Sequence, residues 1–408
     1  MFPPLNEQMD IIKSGAIEVL PENELEQKIV KSIKKDKPLI VKLGCDPSKP
    51  DLHLGHAVVL NKLRQFQDLG HTALLIIGDF TAMIGDPSGR NKTRPQLTKE
   101  ETQIYGQTYI EQATRILSKD RLLKRSNSEW LSPLDFADII KLASKYTVAQ
   151  LLERDDFTKR YKAGVPISIH ELLYPLAQAY DSYATWTDIE IGGTDQKFNL
   201  LVAREIQKQY GVAQQCIVTL PILEGTNGIE KMSKSLDNYI AFNDSPRDMF
   251  GKVMSIPDSL IVQYYKYAAW ANDSEVEQMA KGLENCSIHP RDAKVKTAMA
   301  IVEKYYDAEA ASNALTEFER IFKQSGSPDD IKDFIIESQE TLMQLGNALV
   351  LSALAPSKKE AFRMVKQGAV SLDNEKCGDP FAKIDFSEKR LVKYGKKNFL
   401  NIMVKQSN

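Results

Sequence analysis

Along the first half of the chain, short and almost wholly apolar runs alternate with stretches whose apolar residues recur every three or four positions. The runs are Pro38-Leu39-Ile40-Val41, Thr72-Ala73-Leu74-Leu75-Ile76-Ile77-Gly78 and, later, Cys216-Ile217-Val218-Thr219-Leu220. Runs of this length without polar alternation mark parallel strands covered on both faces. Between them Val58, Val59, Leu60, Leu63 and Phe66 carry helical spacing, and 98–118 and 172–183 share that character. Residues 1–36 read as helix with polar faces. The alternation predicts an α/β domain with a doubly wound parallel sheet, Rossmann-like, whose ligands lie at the C-terminal ends of the strands. From Ser245 to about Glu340 the pattern is helix with polar punctuation, including a surface turn at 325–330, so an α-helical domain is expected there. The last piece changes again, to one helix at 358–367 and short strands, a small α+β domain. The expected limits are 1–242, 243–340 and 341–408.

Composition narrows the classes. A chain of 408 residues with 42% hydrophobic content can bury cores for two or three domains. No stretch approaches the roughly 18 to 20 apolar residues of a membrane span. The start, Met1-Phe2-Pro3-Pro4-Leu5, lacks the basic segment and apolar run of a signal peptide, so a cytoplasmic location is expected. The cysteines at 45, 216, 286 and 377 are far apart, which argues against a zinc site or a disulfide framework and fits a reducing compartment. Net charge is −2, but unevenly divided. From Pro356 onward 12 Lys+Arg face 6 Asp+Glu, leaving an excess of +6 on the tail and −8 on the rest. A basic tail on an acidic body is either a nucleic-acid footprint or a plain solvated surface; charge alone does not decide.

The chemistry concentrates in two short motifs. His53-Leu54-Gly55-His56 sits between a strand, the turn Gly44-Cys45-Asp46-Pro47 and a helical pattern. A helix N-terminus there offers free N–H groups and its dipole to a phosphate, and two imidazoles can donate to phosphoryl oxygens as charge builds. Lys231-Met232-Ser233-Lys234-Ser235 follows the turn-forming loop Gly225-Thr226-Asn227-Gly228, from which ammonium groups can close over a triphosphate. A third constellation, Tyr174, Gln178 and Asp181, falls at i, i+4 and i+7 on one helix face among Leu172, Leu173, Leu176 and Ala177. Polar groups so flanked read as lining a pocket.

The two motifs in this order resemble the ATP-handling pair of class I aminoacyl-tRNA synthetases. The Tyr174/Gln178/Asp181 stripe, Gly192-Gly193-Thr194-Asp195-Gln196 and Gly85-Asp86-Pro87-Ser88-Gly89 resemble the amino-acid pocket of bacterial-type tyrosyl-tRNA synthetases. The likeness runs from about Pro38 to Ser235, and the tail, with Ser357-Lys358-Lys359-Glu360-Ala361 and Lys366-Gln367-Gly368-Ala369-Val370, resembles an S4-type RNA-binding domain. The resemblance implies ATP as substrate, Mg²⁺ carried with the nucleotide, no tightly bound protein metal, and L-tyrosine and tRNA(Tyr) as partners of a homodimer. It implies that His53, His56, Lys231 and Lys234 are catalytic. Asp46, Gly55, His56, Gly193, Asp195 and Lys234 would face ATP. Asp86, Tyr174 and Gln178 would hold the substrate ammonium, Gln196 the carboxylate region, and Asp181 would accept the phenolic proton. Asp46 is open between ammonium and ribose. In the tail, Lys358, Lys359, Arg363 and Lys366 would contact RNA, and 243–340 would lie on the anticodon side.

One departure stands out. Two residues before Gly44, where many family members place a tyrosine against the substrate phenol, this chain has Lys42. Its ammonium either points toward Asp181 or turns outward along its apolar stem to water; the outward orientation is the one expected. The resemblance also leaves a tryptophanyl-tRNA synthetase, a non-acylating RNA-binding paralogue and a small H-x-G-H nucleotidyltransferase as competing readings. The S4-like tail, with Tyr174 and Gln178, opposes the first. Intact His53, His56, Lys231 and Lys234 oppose the second, and the helical domain and tail the third.

Overall fold

The computed structural model describes residues 2–47, 49–87, 97–323, 331–373, 375–395 and 398–406. Two compact units divide the chain, 1–311 and 312–408. The first is built on a six-stranded sheet of β1 (Glu18–Leu20), β2 (Ile40–Cys45), β3 (Thr72–Ile77), β4 (Leu122–Ser126), β5 (Ile189–Gly193) and β6 (Cys216–Leu220). The strand order is β1-β6-β5-β2-β3-β4, parallel except for β1. From β2 the chain winds one way through β3 to β4, then returns to β5 and β6 on the other side. The direction therefore reverses between β2 and β5, and loops leaving those strands open a crevice at their C-terminal ends.

The three apolar runs all become inner strands. Ala73 to Ile77 and Cys216 to Val218 are almost fully buried, as helices on both sheet faces require. At one edge, β4 carries Lys124 and Arg125, charges that discourage pairing with another chain. The other edge corrects the sequence reading of 1–36 as helix. Two helices, Leu5–Lys13 and Glu22–Lys35, flank the three-residue β1, which pairs antiparallel with β6 through Glu18 and Thr219. So short a strand has no alternation to display; pairing alone defines it.

The helices Pro246–Met254, Ile261–Tyr267, Asp273–Glu284 and Pro290–Tyr305 belong to the first unit. Buried Lys62, on the Leu54–Asp68 helix, donates to the carbonyls of Ile11, Ile12 and Ser14, while Asn61 reaches Tyr267 O at 3.3 Å. The compact units thus divide at 311, inside the span expected to be one helical domain. A helix, Ala308–Lys323, runs through the division, and β7 (Asp333–Ser338) is a strand in a segment read as helical. The turn expected at 325–330 lies outside the described residues.

The second unit holds β8 (Leu342–Gln344), β9 (Val370–Leu372), β10 (Glu375–Lys376), β11 (Lys383–Asp385), β12 (Arg390–Tyr394) and β13 (Asn398–Gln406). Five strands form a sheet in the order β10-β9-β12-β13-β7, and β11 pairs with β8. Leu345, Leu349, Val365, Phe386, Val392 and Ile402 make its core. Beyond 341 the described residues hold two helices where one was expected, Leu345–Leu351 and Lys358–Lys366.

Candidate active site

One cavity of about 540 Å³ opens where β2, β3 and β5 end. Into it the fold brings His53, Gly55, His56, Asp46, Asp86, Tyr174, Gln178, Asp181, Gly193, Asp195, Gln196, Lys231 and Lys234, every pocket residue singled out in the first unit. Ser88 and Gly89 of the third expected loop lie outside the described residues.

At the mouth, His53 precedes the Leu54–Asp68 helix and His56 lies in its first turn. The His53 N–H donates to His56 Nδ1 at 3.2 Å, which fixes that nitrogen as acceptor and leaves the proton on Nε2. The rings lie 4.0 Å apart, and His53 Nδ1 is buried without a partner among the described residues. A Cβ on Gly55 would sit 2.9 Å from that nitrogen, so glycine keeps the space over the ring open. Burial, with Lys234 nearby, lowers His56 to about 3. Burial first, then His56 and Lys234, hold His53 well below the usual imidazole range. Both shifts favour the neutral imidazole over the cation, and His56 then keeps its donor on Nε2. The helix N-terminus itself differs from expectation. Leu54 N–H donates to Ile240 O at 3.0 Å, Gly55 N–H to Met232 Sδ of the lysine segment at 3.3 Å and His56 N–H to His53 O at 2.8 Å, so groups expected to be free are already engaged.

Asn238 pins that segment. Its amide donates to Lys231 O at 3.2 Å and accepts from Ser233 N–H at 2.8 Å. Gly225 passes so close to Asn238 that no Cβ would fit. Lys231 Nζ lies 3.1 Å from Asp195 Oδ2, and Lys234 Nζ donates to Lys49 O at 3.1 Å and Tyr109 Oη at 3.3 Å. Burial lowers Lys234 to about 8, Asp51 opposing and Lys49 adding to the effect.

The inner end is a carboxylate pocket. Asp181 accepts from Trp130 Nε1 at 2.8 Å and Asn127 Nδ2 at 3.3 Å. Burial pushes it up to about 7, against Lys42 and the two donors. Tyr174 Oη donates to Asp46 Oδ2 at 2.8 Å, and Thr81 Oγ1 to Asp46 Oδ1 at 2.8 Å. A Cβ on Gly78 would fall within 2.0 Å of Asp46 Oδ1, so that approach needs glycine. A polar chain continues: Asn199 Nδ2 donates to both Gln178 Oε1 and Gln196 Oε1, at 2.9 and 3.0 Å, and Gln196 Nε2 to Asp86 Oδ2 at 3.0 Å. Buried Arg154 reaches Asn199 Oδ1 at 3.2 Å and Asp86 at 3.6 Å.

Lys42 corrects the outward orientation expected of it. It is 1% exposed, its ammonium 2.8 Å from Glu190 Oε1 and 2.5 Å from Ser182 Oγ. An outward turn would leave Glu190 as a buried, uncompensated carboxylate. Sequence reasoning also missed Trp130, Asn127, Arg154, Asn199 and Asn238. Asn127 and Trp130 share the short helix Ser128–Leu131 and its cap, the other three come from separate elements, and no spacing rule joins the set. Among the described residues no group of three or more His, Cys, Asp or Glu side chains is arranged to hold a metal ion.

In the second unit, Lys358, Lys359, Arg363 and Lys366 are exposed while Ala361 and Val365 of the same helix turn inward. Lys359, Arg363 and Lys366 share one helix face, and Arg363 pairs with Glu360 at 2.6 Å.

The family model described as tRNA synthetases class I (W and Y) matches residues 34–323. A tyrosine–tRNA ligase of Chlorobaculum tepidum is 50% identical over 403 residues, 98% of either chain. One of Salinibacter ruber is 51% identical over 404 residues, 98% of this chain and 97% of its own. A crystal structure of tyrosyl-tRNA synthetase complexed with L-tyrosine, from Archaeoglobus fulgidus, has a TM-score of 0.63 at 25% identity, covering 76% of this chain and 100% of its own.

Proposed function

We propose that this chain, which belongs to the class I tRNA synthetases of the tryptophan and tyrosine (W and Y) family, acts as a tyrosine–tRNA ligase. It joins L-tyrosine to ATP as tyrosyl-adenylate with release of pyrophosphate, then transfers tyrosine to the 3′ end of tRNA(Tyr). The observation that carries the reading is the meeting of the histidine pair and the lysine segment at the mouth of a cavity whose inner end is the buried Asp181.

Asp181 accepts the phenolic proton, with Trp130 and Asn127 fixing its orientation. Tyr174, Gln178 and Asp86 bind the ammonium, held in register by Asn199, Gln196 and Arg154. Asp46, tied to Tyr174, then serves the ammonium end as well. The α-carboxylate is already ionised at neutral pH and needs no general base. Catalysis of its in-line attack on the α-phosphorus is a matter of positioning and charge stabilisation. His53 and His56, as neutral N–H donors, stabilise the α-phosphoryl oxygens. Gly193 and Asp195 face the ribose; a ribose hydroxyl on Asp195 competes with Lys231, which is then available to the departing pyrophosphate with Lys234. Lysines and histidines, not clustered carboxylates, line the phosphate end, so Mg²⁺ fits as a companion of the nucleotide and not as a resident ion. Lys358, Lys359, Arg363 and Lys366 bind RNA phosphates, and the helices of 246–305 lie on the anticodon side.

The reading includes a homodimer and a cytoplasmic location. Phe136, 80% exposed on the helix Phe136–Ala143, and Ile169, 78% exposed on the Ile169–Ala184 helix that packs against it, are large apolar side chains that a second copy could cover. All four cysteines are free thiols, as a reducing compartment allows.

ATP–pyrophosphate exchange with each of the twenty amino acids tests the activity. Exchange is expected with tyrosine; exchange driven by tryptophan instead would reassign the pocket.

A further inference from the structure

Beneath the phenol end of the cavity lies a charged cluster that the reaction as described does not use. Lys42 of β2 and Glu190 of β5 face each other across the parallel strand pair, each about 1% exposed. Ser182 Oγ, one residue past Asp181, receives the Lys42 ammonium and donates to Glu190 Oε2 at 3.0 Å. Gln215 donates to that same oxygen, and Glu190 lines the cavity. A buried ion pair is poor value for stability, because well-packed apolar side chains of similar volume serve as well. Its presence points to an effect on a neighbour, and that neighbour is Asp181.

We propose that the Lys42–Glu190 pair is a positioning device for amino-acid selection: Lys42 holds Asp181 ionised, as an acceptor-only carboxylate, and so sets the preference for a phenol over a bare phenyl ring. This rests on the reading of Asp181 as the phenol's acceptor. An ionised acceptor makes a bond roughly twice as strong as a neutral one. The charged groups acting on Asp181 are Lys42 from β2, which favours ionisation, and Glu190 from β5, which opposes it. Asn127 and Trp130 donate to it. From the short helix Thr81–Ile84 and its approach, Thr81 is uncharged and Asp79 is turned to Ser128. From the helix Lys197–Gln209, Gln207 meets only the Ser182 carbonyl beside it. Burial raises Asp181 most, and with Lys42, the two donors and Glu190 all acting it stands at about 7, so a change in either charge shifts its state near neutrality.

The two members of the pair therefore push in opposite directions, which a merely structural role does not reproduce. The test follows kcat/KM for tyrosine in pyrophosphate exchange from pH 5.5 to 8.5, with phenylalanine, which offers the carboxylate no donor, as the reference substrate. Wild type should lose activity toward tyrosine as pH falls through about 7. Lys42→Met should move that limb up and Glu190→Gln should move it down, a shift of one pH unit being about tenfold in the tyrosine-to-phenylalanine ratio on the limb. Lys42→Met with Glu190→Gln should fall between the single variants. Limbs that stay in place, or move together, overturn the proposal. If Lys42→Met does not fold, Glu190→Gln carries the test alone, and an unmoved limb there overturns it. Absence of tyrosine-dependent exchange in the wild type would strike the reading of the site itself, whereas normal exchange with unmoved limbs strikes only the role of the pair.

Discussion

Replacing His56 with alanine should slow tyrosyl-adenylate formation by two to three orders of magnitude while leaving tyrosine binding nearly intact. The magnitude follows from the state of the ring. Its Nδ1 accepts the His53 N–H at 3.2 Å, so the proton rides on Nε2 as a donor. Burial and Lys234 hold its pKa near 3, so the donor is neutral at every pH where the enzyme works. Loss of one such donor to a developing oxyanion costs about 2.7 to 4 kcal/mol, or 10²–10³ in rate. The same change leaves the His53 N–H without its acceptor, a stability cost of about 1 to 3 kcal/mol that a melting curve separates from the kinetics. Single-turnover adenylate formation at saturating tyrosine and ATP is the assay, run from pH 6 to 7.5 on both proteins. Since the missing group is neutral throughout, the ratio of wild-type to variant rates should be flat. A ratio that falls tenfold per pH unit would mean an imidazolium does the work, and a variant within a few-fold of wild type would remove His56 from the mechanism.

Lys234→Ala should cut the rate of adenylate formation far more than tyrosine affinity, because its proposed partner is the triphosphate; an equal loss of tyrosine binding would place the segment in the amino-acid pocket. Lys234 sits near 8 in the free enzyme, so kcat/KM for ATP should decline above that pH as its charge is lost, and Lys234→Arg should move the decline upward. A chain ended after Lys323 should form adenylate but charge tRNA poorly, and charging by the full chain should weaken with salt as phosphate contacts do; full charging by the shortened chain would leave the basic helix without its role. Asp181 has a folded-state pKa raised above the unfolded value near 3.9, so the stability it contributes is present below that value and lost as pH rises through about 7. The difference in melting temperature between Asp181→Asn and wild type should therefore move in the variant's favour from pH 4 to 7 and then level; a constant difference would show the carboxyl unshifted.

Local pattern was enough for the elements that have a strong period and for the residues that the proposed chemistry needs in a fixed local order. Three apolar runs became β2, β3 and β6, because a strand covered on both faces must be apolar at every position. His53 and His56, Lys231 and Lys234, and Tyr174, Gln178 and Asp181 were legible because each set sits within one turn or one helix face, where spacing fixes direction. The tertiary structure decided whatever depends on partners distant in the chain. β1, three residues long, exists only through β6, and β7, largely exposed at a sheet edge and so without an apolar run, only through β13. Lys42 shows this most directly: a single charged side chain in an apolar strand was expected to turn outward to water. Glu190, 148 positions later, settles it, because a buried carboxylate must be compensated and the winding of β2 against β5 puts the lysine opposite it.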